Sequence, residues 1–160
     1  SQNDPARMTQ SSLKSHNRPA PVGRDAFAVW RSLPLRWNDT DVYGHVNNAV
    51  HHQLFDTAVN GHLVEAGVLD PARSPGVFLV VSNGCDYFSE LRFPGPVEAG
   101  LRVDHLGRSS VTYAIGLFAP NQPACAALGR FVHVLVGRED RRPMAMGDRL
   151  AAALARLRLG

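Results

Sequence analysis

Apolar residues recur along this chain with two different periods, and the change from one to the other divides it. Leu33, Leu35 and Trp37 alternate with polar positions, which predicts a first strand over 33–37. A polar loop follows, carrying Asp39, Asp41, Gly44, Asn47 and Asn48. The spacing then lengthens. Leu54, Phe55, Ala58, Val59, His62, Leu63 and Ala66 form one stripe, while Gln53, Asp56, Thr57, Asn60 and Glu65 occupy the opposite side, as in an amphipathic helix. Asn47 or Asn48 suits its N-cap and Gly67 its C-terminal stop, giving a helix of about four turns.

Past a loop at 69–76, four strand-like runs cover 77–93, 97–107, 110–118 and 124–137. Pro94-Gly95-Pro96, Gly107-Arg108-Ser109 and Pro120-Asn121-Gln122-Pro123 separate them, and the middle break is short enough for a tight hairpin between antiparallel neighbours. The last run is apolar on both sides, with Phe131, His133 and Leu135 alternating with Val132, Val134 and Val136. Such a strand is central and covered on both faces. A single helix covers one face of a five-stranded sheet. The other face needs a second copy of the chain or the Leu150, Leu154, Leu157 stripe of a short C-terminal helix capped by Asp148. The class is therefore α+β, and a homo-oligomer is expected.

The first 25 residues show no apolar period and are rich in Ser, Asn, Gln, Pro and Arg, which predicts a disordered tail on a domain spanning 26–160. Phe27, Val29 and Trp30 are expected to tuck against that domain as a short helix or turn. With 160 residues, 44% hydrophobic and 19% charged, the chain fits one domain. The net charge of +3 does not point to nucleic acid, because the arginines are interspersed with carboxylates along the whole length. No apolar run reaches the roughly 20 residues of a membrane span, and no signal-peptide pattern opens the chain, so neither membrane nor export is expected and the location reads as cytoplasmic. Cys85 and Cys125 are too few for a disulfide framework and read as reduced thiols.

The motif Arg36-Trp37-x-Asp39-x-Asp41-x-x-Gly44-His45-Val46-Asn47-Asn48, set between the first strand and the long helix, resembles that of the hotdog-fold acyl-CoA thioesterases related to 4-hydroxybenzoyl-CoA thioesterase, in particular their long-chain acyl-CoA branch. The resemblance spans about residues 33–138. It implies a five-stranded antiparallel sheet wrapped around one central helix, and hydrolysis of a fatty or aromatic acyl-CoA to free acid and coenzyme A. With an apolar sheet face to cover, a homodimer or homotetramer is expected, and no metal or other cofactor is required. By the same resemblance Asp41 is the catalytic carboxylate, as nucleophile or general base, and the N–H near Asn48 polarises the thioester. Gly44, His45, Val46 and Asn47 shape the substrate path, and Arg108 in the hairpin holds nucleotide phosphates. The residues themselves fit: a carboxylate beside a helix start, where backbone N–H groups lack partners, can meet a carbonyl on which negative charge develops.

Asp39 reads as a residue that orders the loop, by an Asx-type turn. His51 and His52 stand where the family commonly has aromatic residues, and they read as solvated or interface histidines. His52 and Asp56 share a helix face, too few for a zinc site. Asp56 is a backup carboxylate, since another hotdog branch carries its acid on this helix. A non-hydrolytic acyl-CoA binding module is the second reading, and a dehydratase a weaker third. No G-x-G-x-x-G, P-loop, G-x-S-x-G or H-E-x-x-H pattern competes.

Overall fold

Residues 19–160 are described by the computed structural model; residues 1–18 of the expected tail lie outside the described residues. Strands β1 (Val29–Leu33), β2 (Gly76–Tyr87), β3 (Val97–Leu106), β4 (Ser110–Phe118) and β5 (Ala127–Gly137) form one antiparallel sheet in the order β1-β3-β4-β5-β2. Helix α1 (Asn48–Glu65) packs on its inner face, and α2 (Asp148–Ala155) follows the last strand. This is the hotdog arrangement of the α+β class, as expected.

Strand register decides which residues face the helix. Leu101 pairs with Ile115 and Ile115 with Gly129, while Val103 pairs with Tyr113 and Tyr113 with Phe131, so these side chains share the inner face. Phe55, Val59 and Leu63 of α1 close over them, each at most 1% exposed. Burying a side chain of that size contributes about 1.5–3 kcal/mol. Gly129 makes room for the helix: a Cβ there would lie 2.6 Å from the Phe55 ring. The N-cap of α1 is Asn47, whose side chain accepts from Ala49 N at 3.0 Å. After the helix, Gly67 takes a left-handed φ of +73°, which lets the chain turn away.

Four expectations are corrected. The first strand is Val29–Leu33, not 33–37: Pro34 has no N–H to continue the ladder, and Trp37 opens a 3-10 turn over Trp37–Asp39. The inward position Arg31, ion-paired with Glu65 of α1, hides the true alternation in the sequence. The second strand stops at Tyr87, because Phe88 and Ser89 both donate to Ala126 O at 2.8 and 3.1 Å and the chain bends off the sheet. The N-cap of α2 is Gly147 without a side-chain bond, so Asp148 stands in the first turn, where its charge complements the helix dipole. Leu154 and Leu157 join the inner core alongside α1, and Val103 N donates to Leu157 O at 3.0 Å. The C-terminal helix therefore does not cover the outer face.

What does lie on the outer face is a strap from Val22 to Phe27. Phe27, Phe118 and Cys125 form a second small cluster there, and the Arg24 guanidinium sits 4.9 Å from the Phe118 ring while pairing with Glu98 at 3.1 Å. Both cysteines are free thiols, and burial pushes Cys85 up to about 11.

Candidate active site

Two aspartates build the loop between β1 and α1, and they do different work. Asp39 is 4% exposed. Its carboxylate accepts from Arg36 N at 2.8 Å and from the Arg36 guanidinium at 2.9 and 3.2 Å, while its carbonyl accepts from Asn47 N at 2.9 Å. Burial pushes its carboxyl up, but the Arg36 hydrogen bonds and charge outweigh this and hold it below the usual range. Asp39 thus ties the start of the loop to the start of the helix.

Asp41 is exposed, and only one of its oxygens is occupied. Oδ1 accepts from Tyr43 N at 2.9 Å and His45 N at 3.1 Å, and the Asp41 N–H donates to His45 O at 2.8 Å. Oδ2 has no hydrogen-bond donor among the described residues. Gly44, at φ +80°, completes this turn, a conformation that side chains with a Cβ rarely adopt. The clamp on Oδ1 fixes the carboxylate and leaves Oδ2 free to accept.

That cleft has a volume of ≈ 310 Å³. Asp41, His45, Val46, Asn48 and His51 form one wall; Tyr87 and the residues after β2, from Phe88 to Leu91, form the other. The Tyr87 hydroxyl donates to Asn48 O at 3.2 Å and its ring stands edge-on to His51, 4.9 Å between centroids. Val46 N donates to Leu91 O at 2.8 Å, and His45 pairs with Arg92 in an antiparallel bridge, so the two walls are joined by backbone.

The N–H groups at the start of α1 can be followed one by one. Asn47 N is taken by Asp39 O, Ala49 N by the Asn47 side chain and Val50 N by Asn47 O. The Asn48 N–H makes no hydrogen bond among the described residues, and Asn48 lines the cleft. Asp41 and Asn48 thus line one cavity, and a carboxylate together with a residue whose helix N–H is unoccupied suits attack on a carbonyl carbon whose oxygen that N–H stabilises.

The other sequence-derived residues divide. Asp41, His45, Val46 and Asn48 line the cleft, whereas the exposed Asn47 acts as helix cap and Gly44 as turn residue. Arg108 is exposed in the β3–β4 hairpin, outside the cleft lining, with its carbonyl accepting from Met146 N at 3.0 Å. Asp56 is exposed on α1 and accepts from Asn60 Nδ2 at 3.0 Å, away from the cleft. His51 is not a solvated group: it is 3% exposed, with Nδ1 3.3 Å from Asn47 O, and burial lowers its pKa. His52 packs between Phe55 and Phe131. Sequence reasoning missed Tyr87 and Glu90, because both fall inside what reads as one continuous strand. Among the described residues no three His, Cys, Asp or Glu side chains group as ligands for an ion.

A family model described as the Thioesterase-like superfamily matches residues 35–154. The PA5185 protein of Pseudomonas aeruginosa strain PAO1 has a crystal structure with which this chain shares 45% identity and a TM-score of 0.85, over 87% of this chain and 97% of that one. A thioesterase of Thermus thermophilus, solved in complex with coenzyme A and zinc, is 28% identical with a TM-score of 0.65, over 80% of this chain and 92% of that one. The YsmA protein of Bacillus subtilis (strain 168) is 21% identical over 126 residues, 78% of this chain and 84% of its own length. The matched segment includes the whole Asp39-to-Asn48 loop, α1, the sheet from β2 onward and most of α2, and on that evidence the chain belongs to the Thioesterase-like superfamily.

Proposed function

We propose that this chain is a cytoplasmic acyl-CoA thioesterase that hydrolyses a fatty or aromatic acyl-CoA with water to free acid and coenzyme A. The observation that carries this reading is that the clamped Asp41 carboxylate and Asn48, whose N–H is unoccupied, line the same cleft. Asp41 Oδ2 attacks the thioester carbonyl, or takes a proton from the water that does, while Asn48 N–H donates to the developing oxyanion. The thiolate of coenzyme A leaves and is protonated; where Asp41 itself attacks, water then hydrolyses the acyl–aspartyl anhydride, releasing the free acid and restoring the carboxylate. General-base assistance supplies about 10²- to 10⁴-fold, and one oxyanion donor adds about 3 kcal/mol. His45 and Val46 line the substrate path, Gly44 and Asn47 shape the loop beside it, and Arg108 holds nucleotide phosphates at the β3–β4 hairpin. The complex of coenzyme A with the Thermus relative supports the same ligand here.

A panel of acyl-CoAs assayed for thiol release tests activity and acyl preference together. Asp41→Asn is expected to lower turnover about 100-fold or more while leaving the melting temperature unchanged, because Asn keeps an oxygen for the Tyr43 and His45 N–H groups. Parent-like turnover by that variant would remove Asp41 from the mechanism. Tight acyl-CoA binding with no thiol released by the parent would mark a binding module instead.

We also infer that the working form is a homodimer or homotetramer. Its support is the free edge of the sheet: β2 pairs on one side only and exposes Leu79, Val80 and Val81.

A further inference from the structure

One contact in the cleft has no part in the chemistry above. His45 Nε2 lies 2.9 Å from Glu90 Oε2, so the loop that carries Asp41 is gripped by a carboxylate arriving from the segment after β2. The His45 backbone cannot move alone. Its backbone N–H donates to Asp41 Oδ1 at 3.1 Å and its carbonyl accepts from Asp41 N at 2.8 Å, so a displacement of His45 displaces the carboxylate. Apart from the Val46 N–Leu91 O hydrogen bond and the His45–Arg92 bridge, the loop gains little packing here, since Val42 and Tyr43 are 93% and 77% exposed. Arg92, whose backbone pairs with His45, donates to Glu90 Oε2 at 3.3 Å and holds the grip from behind.

We propose that Glu90 is a positioning residue for Asp41, acting through His45. This rests on the reading of Asp41 as the reacting carboxylate. With Nε2–H donated to Glu90, the plane of the imidazole ring is set by the carboxylate. The effect on chemistry is orientational: misplacing a reacting group by about 1 Å costs up to about 100-fold in rate, whereas an exposed ion pair serving stability alone changes little when removed. The groups around His45 are Asp41 on its own loop, Glu90 and Arg92 from the segment after β2, and His51 of α1 and Tyr87 of β2 in the lining of the same cleft.

The test uses Glu90→Ala, Glu90→Gln, His45→Ala and the double variant His45→Ala/Glu90→Ala of the full chain. On whichever acyl-CoA the parent hydrolyses, Glu90→Ala is expected to lower kcat about 10-fold or more with KM within about twofold. Glu90→Gln, which keeps an acceptor oxygen for Nε2–H, recovers most of that loss. The double variant is no slower than His45→Ala, because the two act in series. Independently of activity, the imidazole nitrogen chemical shifts of His45 are expected to show the Nε2–H tautomer in the parent and in Glu90→Gln, and a mixture in Glu90→Ala. Parent-like kcat in Glu90→Ala, multiplying losses in the double variant, or unchanged His45 shifts in Glu90→Ala would each overturn the proposal. A parent that hydrolyses no thioester sinks the proposed function instead, and the shifts still decide whether Glu90 fixes His45.

Discussion

His133 is 1% exposed on the inner face of β5, among the rings of Phe78, Tyr113 and Phe131, and neither ring nitrogen has a hydrogen-bond partner among the described residues. Burial lowers its pKa, and the charge of Asp56 on α1 offsets this only in part. The folded protein therefore holds His133 neutral, while the unfolded chain protonates it below about pH 6.5. Stability is full above that pH and falls as the pH drops toward the lowered folded value. Urea unfolding across this range is expected to show the loss, and His133→Phe to reduce it; His51, lowered by the same cause, keeps part of it. An equal pH dependence in His133→Phe would show that other groups are responsible. At this scale the sequence was informative where chemistry is local. The side-chain bonds of Asp41 and Asp39 are made within a few residues of each, to Tyr43 and His45 in one case and to Arg36 in the other. Glu90 and Tyr87 reach the cleft only because the chain bends after β2, an event that no neighbouring residue announces.

Helix α1 begins where the sequence says it should, and its cap can be measured. Asn47 Oδ1 accepts from Ala49 N, so Asn47→Ala is expected to cost about 1 kcal/mol, read as a shift in the denaturation midpoint at unchanged slope. No change would mean that the Asp39 carbonyl, which accepts from Asn47 N, holds the helix start by itself. Strand β4 was legible to the residue because both of its ends are turns written in Gly, Ser, Pro and Asn. The first strand was displaced because a long-range ion pair, Arg31 with Glu65, fills an inward position that apolar periodicity cannot recognise. Phe27, in the strap before it, tucks against the domain as expected, but its place on the outer face was not legible. Phe27 is accepted on the outer face by two glycines in different strands, where a Cβ at Gly100 or Gly116 would lie 2.6 or 2.4 Å from its ring.

Across the whole molecule, the exposed apolar side chains among the described residues include Leu79, Val80 and Val81 at the β2 edge and, in the loop between β1 and α1, Trp37, which is 72% exposed. Association through the edge is tested by Val81→Lys, which places a charge on the unpaired side of β2. Sedimentation of the parent is expected to give a dimer or tetramer, and the variant is expected to shift toward monomer. A monomeric parent would refute the proposed assembly. The sequence by itself determined the two periodicities, and with them the count of strands, the long helix, its Asn cap and the Asp-rich loop before it, since each depends on contacts between residues close in the chain. Only the tertiary structure decided the strand order, the burial of α2 in the inner core and the meeting of residues 87–91 with residues 41–51 in one cleft. Those arrangements are fixed by pairing and packing between residues tens of positions apart, and local periodicity carries no record of that distance.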